Sequence, residues 1–282
     1  MPTVYAQILR LSPMPLRPSV SAVRFARCLL PAMGCVLAVS VHAQAMPAKA
    51  PAAVPAASTT TAPASTPWRA PAPARMQFTV QGKYKGLPYQ TKAQLDWLPN
   101  GQRYEAAQEV QIPILGSRRQ ASVGAIGPQG LQPEIFIDRG RRESSTTFDR
   151  NNQQITFSRG ATPAPWVSGT QDRMSVFFQL SGLIAAAPKK YPVGTVITLQ
   201  AASTSRVAPW SFTVRGTEAL QLPAGRMTAL KLEHHSDSTD DEDVQSSLWL
   251  APSLQYLPVR IRLVEDGGRD ELDLTLQSHS RP

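Results

Sequence analysis

Cysteine and histidine are scarce in this 282-residue chain, and acidic residues are missing from its first 75 residues. It has two cysteines, Cys28 and Cys35, and four histidines, which excludes a disulfide scaffold and most cysteine-rich metal sites. Residues 1–75 contain no Asp or Glu but 7 of the 29 Lys and Arg residues. The remaining 22 basic residues face all 20 acidic ones, a net charge of +2. This near balance excludes nucleic-acid binding driven by net charge.

No apolar run in the N-terminal region has the length of a membrane span, which needs about 20 residues. Four arginines in residues 10–27 precede an apolar run at 28–41, and the run ends in Val41-His42-Ala43, with small residues at the two positions that a signal peptidase reads. This order is typical of a cleaved signal peptide, so the sequence predicts a leader over residues 1–43 and export to the periplasm. A short uncleaved anchor is the alternative. Cleavage near Ala43 would remove both cysteines and leave no thiol for catalysis or disulfide formation.

Proline accounts for 26 residues, many of them in a segment rich in Ala, Pro, Ser and Thr that follows the leader. Such a composition cannot bury a core. It predicts a disordered linker over residues 44–75, acting as an extended spacer. The folded domain is then expected over residues 76–282.

From residue 76 onward, apolar residues alternate with polar ones in about a dozen short runs separated by turn residues. This period of two predicts an all-β domain, either a single large antiparallel curved sheet or an open barrel. One segment differs: apolar residues between Met174 and Ile184 recur every three to four positions. They predict one amphipathic α-helix packed on the sheet and ended by Pro188, with Ser168, Thr170 or Asp172 as its N-cap.

The last two predicted strands carry arginines on one and acids on the other. Arg260 and Arg262 alternate with aliphatic residues, as Glu271 and Asp273 do after the turn. Pairing Arg262 with Glu271 or Asp273 would fix the register of this hairpin.

The sequence contains no motif for a nucleophile elbow, a phosphate loop or a dinucleotide site. We therefore predict no catalytic residues, no metal ligands and no cofactor. His234 and His235 would point to opposite faces of a strand, and we expect the acidic run at 237–243 to be a solvated turn rather than a calcium loop. A basic cluster containing Arg141 and Arg142 could face an anionic lipid or glycan, or be balanced by nearby acids.

Several short strings, taken together in this order and spacing, resemble one bacterial family. They are GLQPE at 130–134, TFD at 147–149, QDRMSVFFQL at 171–180, LPAG at 222–225, WLAP at 249–252 and YLPVRI at 256–261. The resemblance covers residues 76–277 and is to domain-of-unknown-function family 3108, exported proteins of Gram-negative bacteria. It implies an exported β-rich domain and supplies no catalytic residues. We interpret Asp172 and Arg173 within it as residues that hold the helix against the sheet.

These observations lead to the hypothesis of a non-enzymatic periplasmic domain that binds an apolar, lipid-like ligand. The ligand-binding candidates are Phe177, Phe178, Leu180, Ile184, Trp97 and Trp210. Two other functions remain open. One is a scaffold for an envelope protein or a cell-wall polymer, and the other is a hydrolase. No nucleic-acid partner is expected.

Overall fold

The computed structural model describes residues 67–84, 86–112, 116–235, 245–265 and 268–282. These ranges contain one α-helix, α1 (Ser175–Ala186), and two short 3-10 turns, Pro188–Lys190 and Pro252–Leu254. They also contain fifteen strands. The strands are β1 (Ala74–Tyr84), β2 (Leu87–Asn100), β3 (Arg103–Ile112), β4 (Gly116–Gly127), β5 (Gly130–Arg139), β6 (Glu143–Asp149), β7 (Gln154–Phe157), β8 (Ala164–Pro165), β9 (Gln171–Asp172), β10 (Val196–Ala202), β11 (Val207–Leu222), β12 (Gly225–His235), β13 (Gln245–Ala251), β14 (Leu257–Glu265) and β15 (Asp270–Ser280).

All fifteen strands belong to one curved, unclosed sheet. Its order runs from β8 back to β1, continues with β15, and then descends from β14 to β9. Every neighbouring pair is antiparallel except β9 and β10. The predicted fold class, a large antiparallel curved sheet with one helix packed on it, is therefore confirmed, with this single parallel pair as an exception.

The sheet curls so that its β9–β10 end approaches strands β5 and β6. The Gln171 Nε2 group donates a hydrogen bond to the Leu131 carbonyl at 2.9 Å, and Thr146 Oγ1 donates one to the Ser203 carbonyl at 2.7 Å. One face of the sheet, here called the inner face, buries the apolar residues of the alternating pattern. Phe78, for example, is completely buried.

Two prolines inside the sheet lie at β-bulges. The pairing of β4 with β5 shifts where Gly124 faces Pro133, and the pairing of β13 with β14 shifts where Leu250 faces Pro258. Proline cannot donate a hydrogen bond to a neighbouring strand, so inside a sheet it is tolerated at an edge or a bulge. Both prolines are on inner strands, and the bulges are the places where the ladder accommodates them.

The β14–β15 hairpin has the register predicted from its charges. Arg262 lies opposite Asp273, and its Nε donates to Glu271 Oε1 at 2.8 Å. Arg260 Nε donates to Asp273 Oδ1 at 2.9 Å. These pairs lie on the outer face, opposite the aliphatic residues, so a slip by one residue would bury the arginines. The turn residues 266–267 lie outside the described residues.

Helix α1 covers part of the inner face and contacts β5 and β14. Two polar side chains fix it there. The Leu131 N–H donates to Gln179 Oε1 at 2.8 Å, and Ser181 Oγ donates to the Tyr256 carbonyl at 2.7 Å. The helix ends at Ala186, two residues before Pro188, in agreement with the sequence pattern.

The segment 67–73, which we call the strap, packs against the folded domain. The Trp68 indole N–H donates to the Gln179 carbonyl at 3.2 Å, and the Arg69 N–H donates to the Gly182 carbonyl at 3.1 Å. Strand β1 then begins at Ala74. The predicted boundary at residue 76 is therefore corrected: residues 67–75 belong to the folded domain. Trp68 supplies the apolar surface that the surrounding prolines and alanines lack.

The strap predicts an unusual response to one helix substitution. A Cβ atom at Gly182 would stand 2.1 Å from the Trp68 indole nitrogen. We expect Gly182→Ala to displace Trp68 and to lower the free energy of unfolding by about 1–3 kcal/mol, the amount expected for a lost apolar contact. In a Trp68→Ala background, Gly182→Ala should raise the free energy of unfolding by up to about 1 kcal/mol, because alanine has a higher helix propensity than glycine. Urea denaturation of the four proteins measures both effects. Destabilisation of equal size in both backgrounds would show that Trp68 is not the obstacle.

Candidate binding site

The six side chains predicted to bind a ligand do not form one site. Phe178, Leu180, Ile184 and Trp97 have no exposed surface. Trp210 is half-buried and lies on β11, in a separate aromatic cluster. Phe177 is also half-buried, on α1. The ligand-binding role of the six side chains stays a prediction.

The group beneath α1 is tightly packed. The rings of Trp97 and Phe178 stack with their centroids 4.5 Å apart, and Tyr104 lies 5.6 Å from Trp97. The Trp97 indole N–H donates to the Pro71 carbonyl of the strap at 3.0 Å. This bond satisfies the polar atom of a buried tryptophan. Helix, sheet and strap therefore share these contacts.

Trp210 belongs to a cluster on the inner face that we call the aromatic cluster, made of Trp210, Phe212 and His234. The His234 ring lies 5.0 Å from Trp210 and 5.2 Å from Phe212, and its Nδ1 is 3.0 Å from the Ser211 carbonyl. Trp210 faces Leu199 on β10, and the Arg173 guanidinium carbon is 5.9 Å from the Trp210 ring centroid. The cluster thus combines aromatic surface with a nearby cation.

Sequence reasoning included Trp210 but missed its companions. The signal for Phe212 was its spacing of two from Trp210 on one strand. The place of His234 depends on the β11–β12 register, in which it lies opposite Phe212, and a register offset by a bulge cannot be derived from alternation alone. Arg173 reaches Trp210 only because β9 lies beside β10.

Asp172 caps helix α1 and also joins it to the sheet. Its Oδ1 accepts hydrogen bonds from the Met174 and Ser175 N–H groups at 2.8 Å each, and its own N–H donates to Ser175 Oγ at 2.8 Å. This reciprocal arrangement is a capping box. Its second oxygen accepts a hydrogen bond from Ser122 Oγ on β4, and Ser122 Oγ is 2.9 Å from the Tyr104 hydroxyl. The predicted structural role of Asp172 is what the geometry shows.

Burial dominates the acid–base behaviour of this group. It raises the pKa of Asp172 to about 6, against the lowering effect of the hydrogen bonds from Ser122, Ser175 and Met174. The pKa of the Tyr104 hydroxyl is raised well above its usual value, first by burial and then by the Asp172 carboxylate. Perturbed carboxylates often mark active sites, but Asp172 has no exposed surface, and both its oxygens hold structural hydrogen bonds.

The other candidates from the sequence also have structural places. Arg118 pairs with Asp138 and Arg139 with Glu143, as expected if nearby acids balance the basic cluster. Arg141 and Arg142 are exposed. Within the described ranges, no three His, Asp or Glu side chains are grouped so as to hold a metal ion. The His235 side chain and the acidic run at 237–243 lie outside the described residues.

Comparison with models of known families finds one match. The family model described as "Protein of unknown function (DUF3108)" matches residues 77–275. The chain belongs to the DUF3108 family. The match spans β1 to β15, so the DUF3108 region includes both the Asp172 cap and the aromatic cluster. A search of curated proteins finds no match to the chain.

Two solved structures are similar to parts of this chain. One is the beta-barrel-like protein of domain of unknown function DUF1849 from Brucella abortus, with a TM-score of 0.49 and 10% identity, over 76% of this chain and 99% of the other. The second is the putative outer membrane lipoprotein-sorting protein domain from Vibrio parahaemolyticus, with a TM-score of 0.24 and 8% identity, over 74% and 85%. Likenesses at these TM-scores carry no conclusion about function. Among the described residues, no helix has the length and apolarity needed to cross a membrane.

The Asp172 cap predicts that stability falls as the pH rises. The pKa of Asp172 is about 6 in the folded protein, against an ordinary value of 3.8 for an aspartate in the unfolded chain, so the folded state binds more protons between these two values. The free energy of unfolding then decreases by up to about 3 kcal/mol as the pH rises from about 4 to 7. Asp172→Asn keeps a capping oxygen and cannot ionise, so it should remove this decrease. Urea denaturation across this pH range measures it.

A matched control is Asp149→Asn at the β6–β7 turn. Hydrogen bonds from Asn152 lower the pKa of the exposed Asp149 carboxyl, so its contribution is present at neutral pH and lost as the pH falls. This variant should retain the Asp172-dependent decrease. Identical pH profiles for the wild type and Asp172→Asn would contradict the assignment.

Proposed function

We propose that this DUF3108 protein is a non-enzymatic binding domain of the bacterial periplasm that holds an apolar, lipid-like ligand at the aromatic cluster. In residues 1–43, basic residues are followed by an apolar run and then by small residues, and this order is typical of a signal peptide and supports export. The filled contacts between Trp97 and Phe178 favour a ligand beside the helix rather than beneath it, because a ligand beneath α1 would have to separate rings 4.5 Å apart.

The observation that carries the proposal is the half-buried Trp210 on the inner face. Part of the Trp210 ring is accessible, and small-molecule sites are lined mainly by apolar and aromatic side chains with a few polar groups. Leu199 extends the apolar surface on the next strand, and the buried Phe212 and His234 pack behind Trp210. The Arg173 guanidinium near Trp210 suits the anionic head of an amphiphile, which would leave its acyl chain against the rings.

The non-enzymatic part of the proposal is supported by how the polar residues are used. The carboxylate of Asp172 caps a helix and receives Ser122, while Arg118 and Asp138 pair with each other. Each of these groups has a structural partner, and Asp172 is closed to substrates.

The first test is native mass spectrometry of the protein recovered from a bacterial periplasm, followed by solvent extraction. We expect a stoichiometric adduct of lipid size in the wild type and at least a tenfold lower occupancy in Trp210→Ala, because most of the aromatic contact area is lost. A protein mass without adduct, unchanged after incubation with envelope lipids, would contradict the proposal.

Fluorescence quenching locates the ligand. A fatty acid with a dibrominated acyl chain should quench the emission of the wild type, and Trp210→Phe should lose the quenched component. Trp166→Phe is the matched control, since Trp166 is also half-buried against the core but lies between β8 and β9. Quenching that disappears in Trp166→Phe and persists in Trp210→Phe would place the ligand elsewhere.

A further inference from the structure

The charges of the chain are distributed very unevenly around helix α1. Between Asp149 and Glu218 the only acidic residue is Asp172, which is fully buried. The same stretch contains seven Lys and Arg residues. The folded part is nearly neutral as a whole, so residues 150–217 contain a larger share of its basic residues than of its acidic ones.

Within that stretch, residues 188–196 form a largely exposed segment from the 3-10 turn after α1 to the first residue of β10, which we call the basic loop. Lys189 and Lys190 are exposed and form no ion pair within the described part of the chain. Four large apolar side chains in the described ranges are strongly exposed, and two of them, Val193 at 70% and Val196 at 57%, lie in this loop. Tyr191, which follows Lys190, is half-buried and packs against the core.

The basic loop is held firmly by the sheet. The Gly194 N–H donates to the Val214 carbonyl at 2.8 Å, and the Val214 N–H donates to the Thr195 carbonyl at 2.9 Å. Tyr191 is tied back to the Pro188 carbonyl at 3.2 Å. The exposed valines are therefore presented at fixed positions, so contact through them needs little ordering of the chain.

We propose that the basic loop docks this protein on the surface of a lipid bilayer that contains anionic lipid. Exposed aliphatic side chains enter the boundary between headgroups and acyl chains, tyrosine prefers that boundary, and lysines reach the phosphates. A bilayer fits better than a folded partner, because two valines and two lysines form a small patch. Protein interfaces bury about 800 Å² per partner.

The other exposed features lack this combination. Leu87 is 72% exposed, but its hairpin lies beside Asp270 and Glu271 on β15, and Glu271 pairs with Lys83. Arg141 and Arg142 are exposed and basic, yet no strongly exposed large apolar residue adjoins them in the sequence. Lysines near the end of α1 also complement the helix dipole, but that role does not explain the exposed valines.

Flotation with vesicles tests the proposal on the protein recovered from a bacterial periplasm. Vesicles of phosphatidylglycerol and phosphatidylcholine in equal amounts should bind the wild type, and pure phosphatidylcholine vesicles should bind it at least tenfold more weakly. Lys189→Gln with Lys190→Gln should lower the partition coefficient by about tenfold or more, since each basic residue near an anionic surface contributes several-fold. Val193→Asp should lower it by a similar factor.

Matched variants separate the basic loop from other surfaces. Leu87→Asp changes an equally exposed apolar residue, and Arg141→Gln with Arg142→Gln removes two exposed charges, so both should bind as the wild type does. All variants are first checked for wild-type circular dichroism. The proposal is overturned if the wild type does not bind anionic vesicles or binds neutral vesicles equally well. It is also overturned if, among the variants, only Arg141→Gln with Arg142→Gln lowers binding.

Discussion

The hydrogen bonds of one buried carboxylate, that of Asp172, join helix α1 to the sheet. Asp172 accepts two N–H groups at the start of α1 and one hydroxyl from β4. Without it, the first turn of the helix would have unsatisfied donors inside the core, and α1 would lose its link to Ser122 on β4. Ionising this carboxylate is unfavourable because it has no exposed surface, and burial therefore raises the pKa of Asp172. Gln179 and Ser181 complete the attachment at β5 and at Tyr256.

The division of the sheet into two faces explains how one strand can carry both core and solvent contacts. On β13, Leu248 faces the core, while the neighbouring Trp249 lies between Lys231 and Arg260 on the outer face, 5.4 and 4.7 Å from their charged groups. Its indole N–H donates to Glu218 at 2.7 Å. A tryptophan can thus be buried on the solvent side by the stems of charged residues. The same alternation, carried to β11, leaves Trp210 on the inner face.

Much of this architecture was predictable from the sequence, because it depends on local rules. Alternation identified most strands, three-to-four spacing identified α1, Asp172 was among the expected N-caps, and the charges on Arg262 and Glu271 fixed a register. What could not be predicted depends on contacts distant in sequence. Trp68 is hidden in a proline-rich stretch, and its partner Gly182 follows more than a hundred residues later. The stacking of Trp97 on Phe178, and the position of His234 beside Trp210, both follow from how far the sheet curls and where its bulges fall.

Both ends of the sheet are exceptionally short strands. One edge, β8, has two residues, and one of them is Pro165; the other, β9, also has two, and both are buried. An open sheet with long free edges can recruit another chain by continuing its hydrogen-bond ladder, the first step of fibril growth. In this sheet, an added strand would meet Pro165 at the β8 edge, and at the β9 edge it would meet Gln171, which is already hydrogen-bonded to Leu131. The described sheet can therefore remain unclosed without becoming a template for its own aggregation.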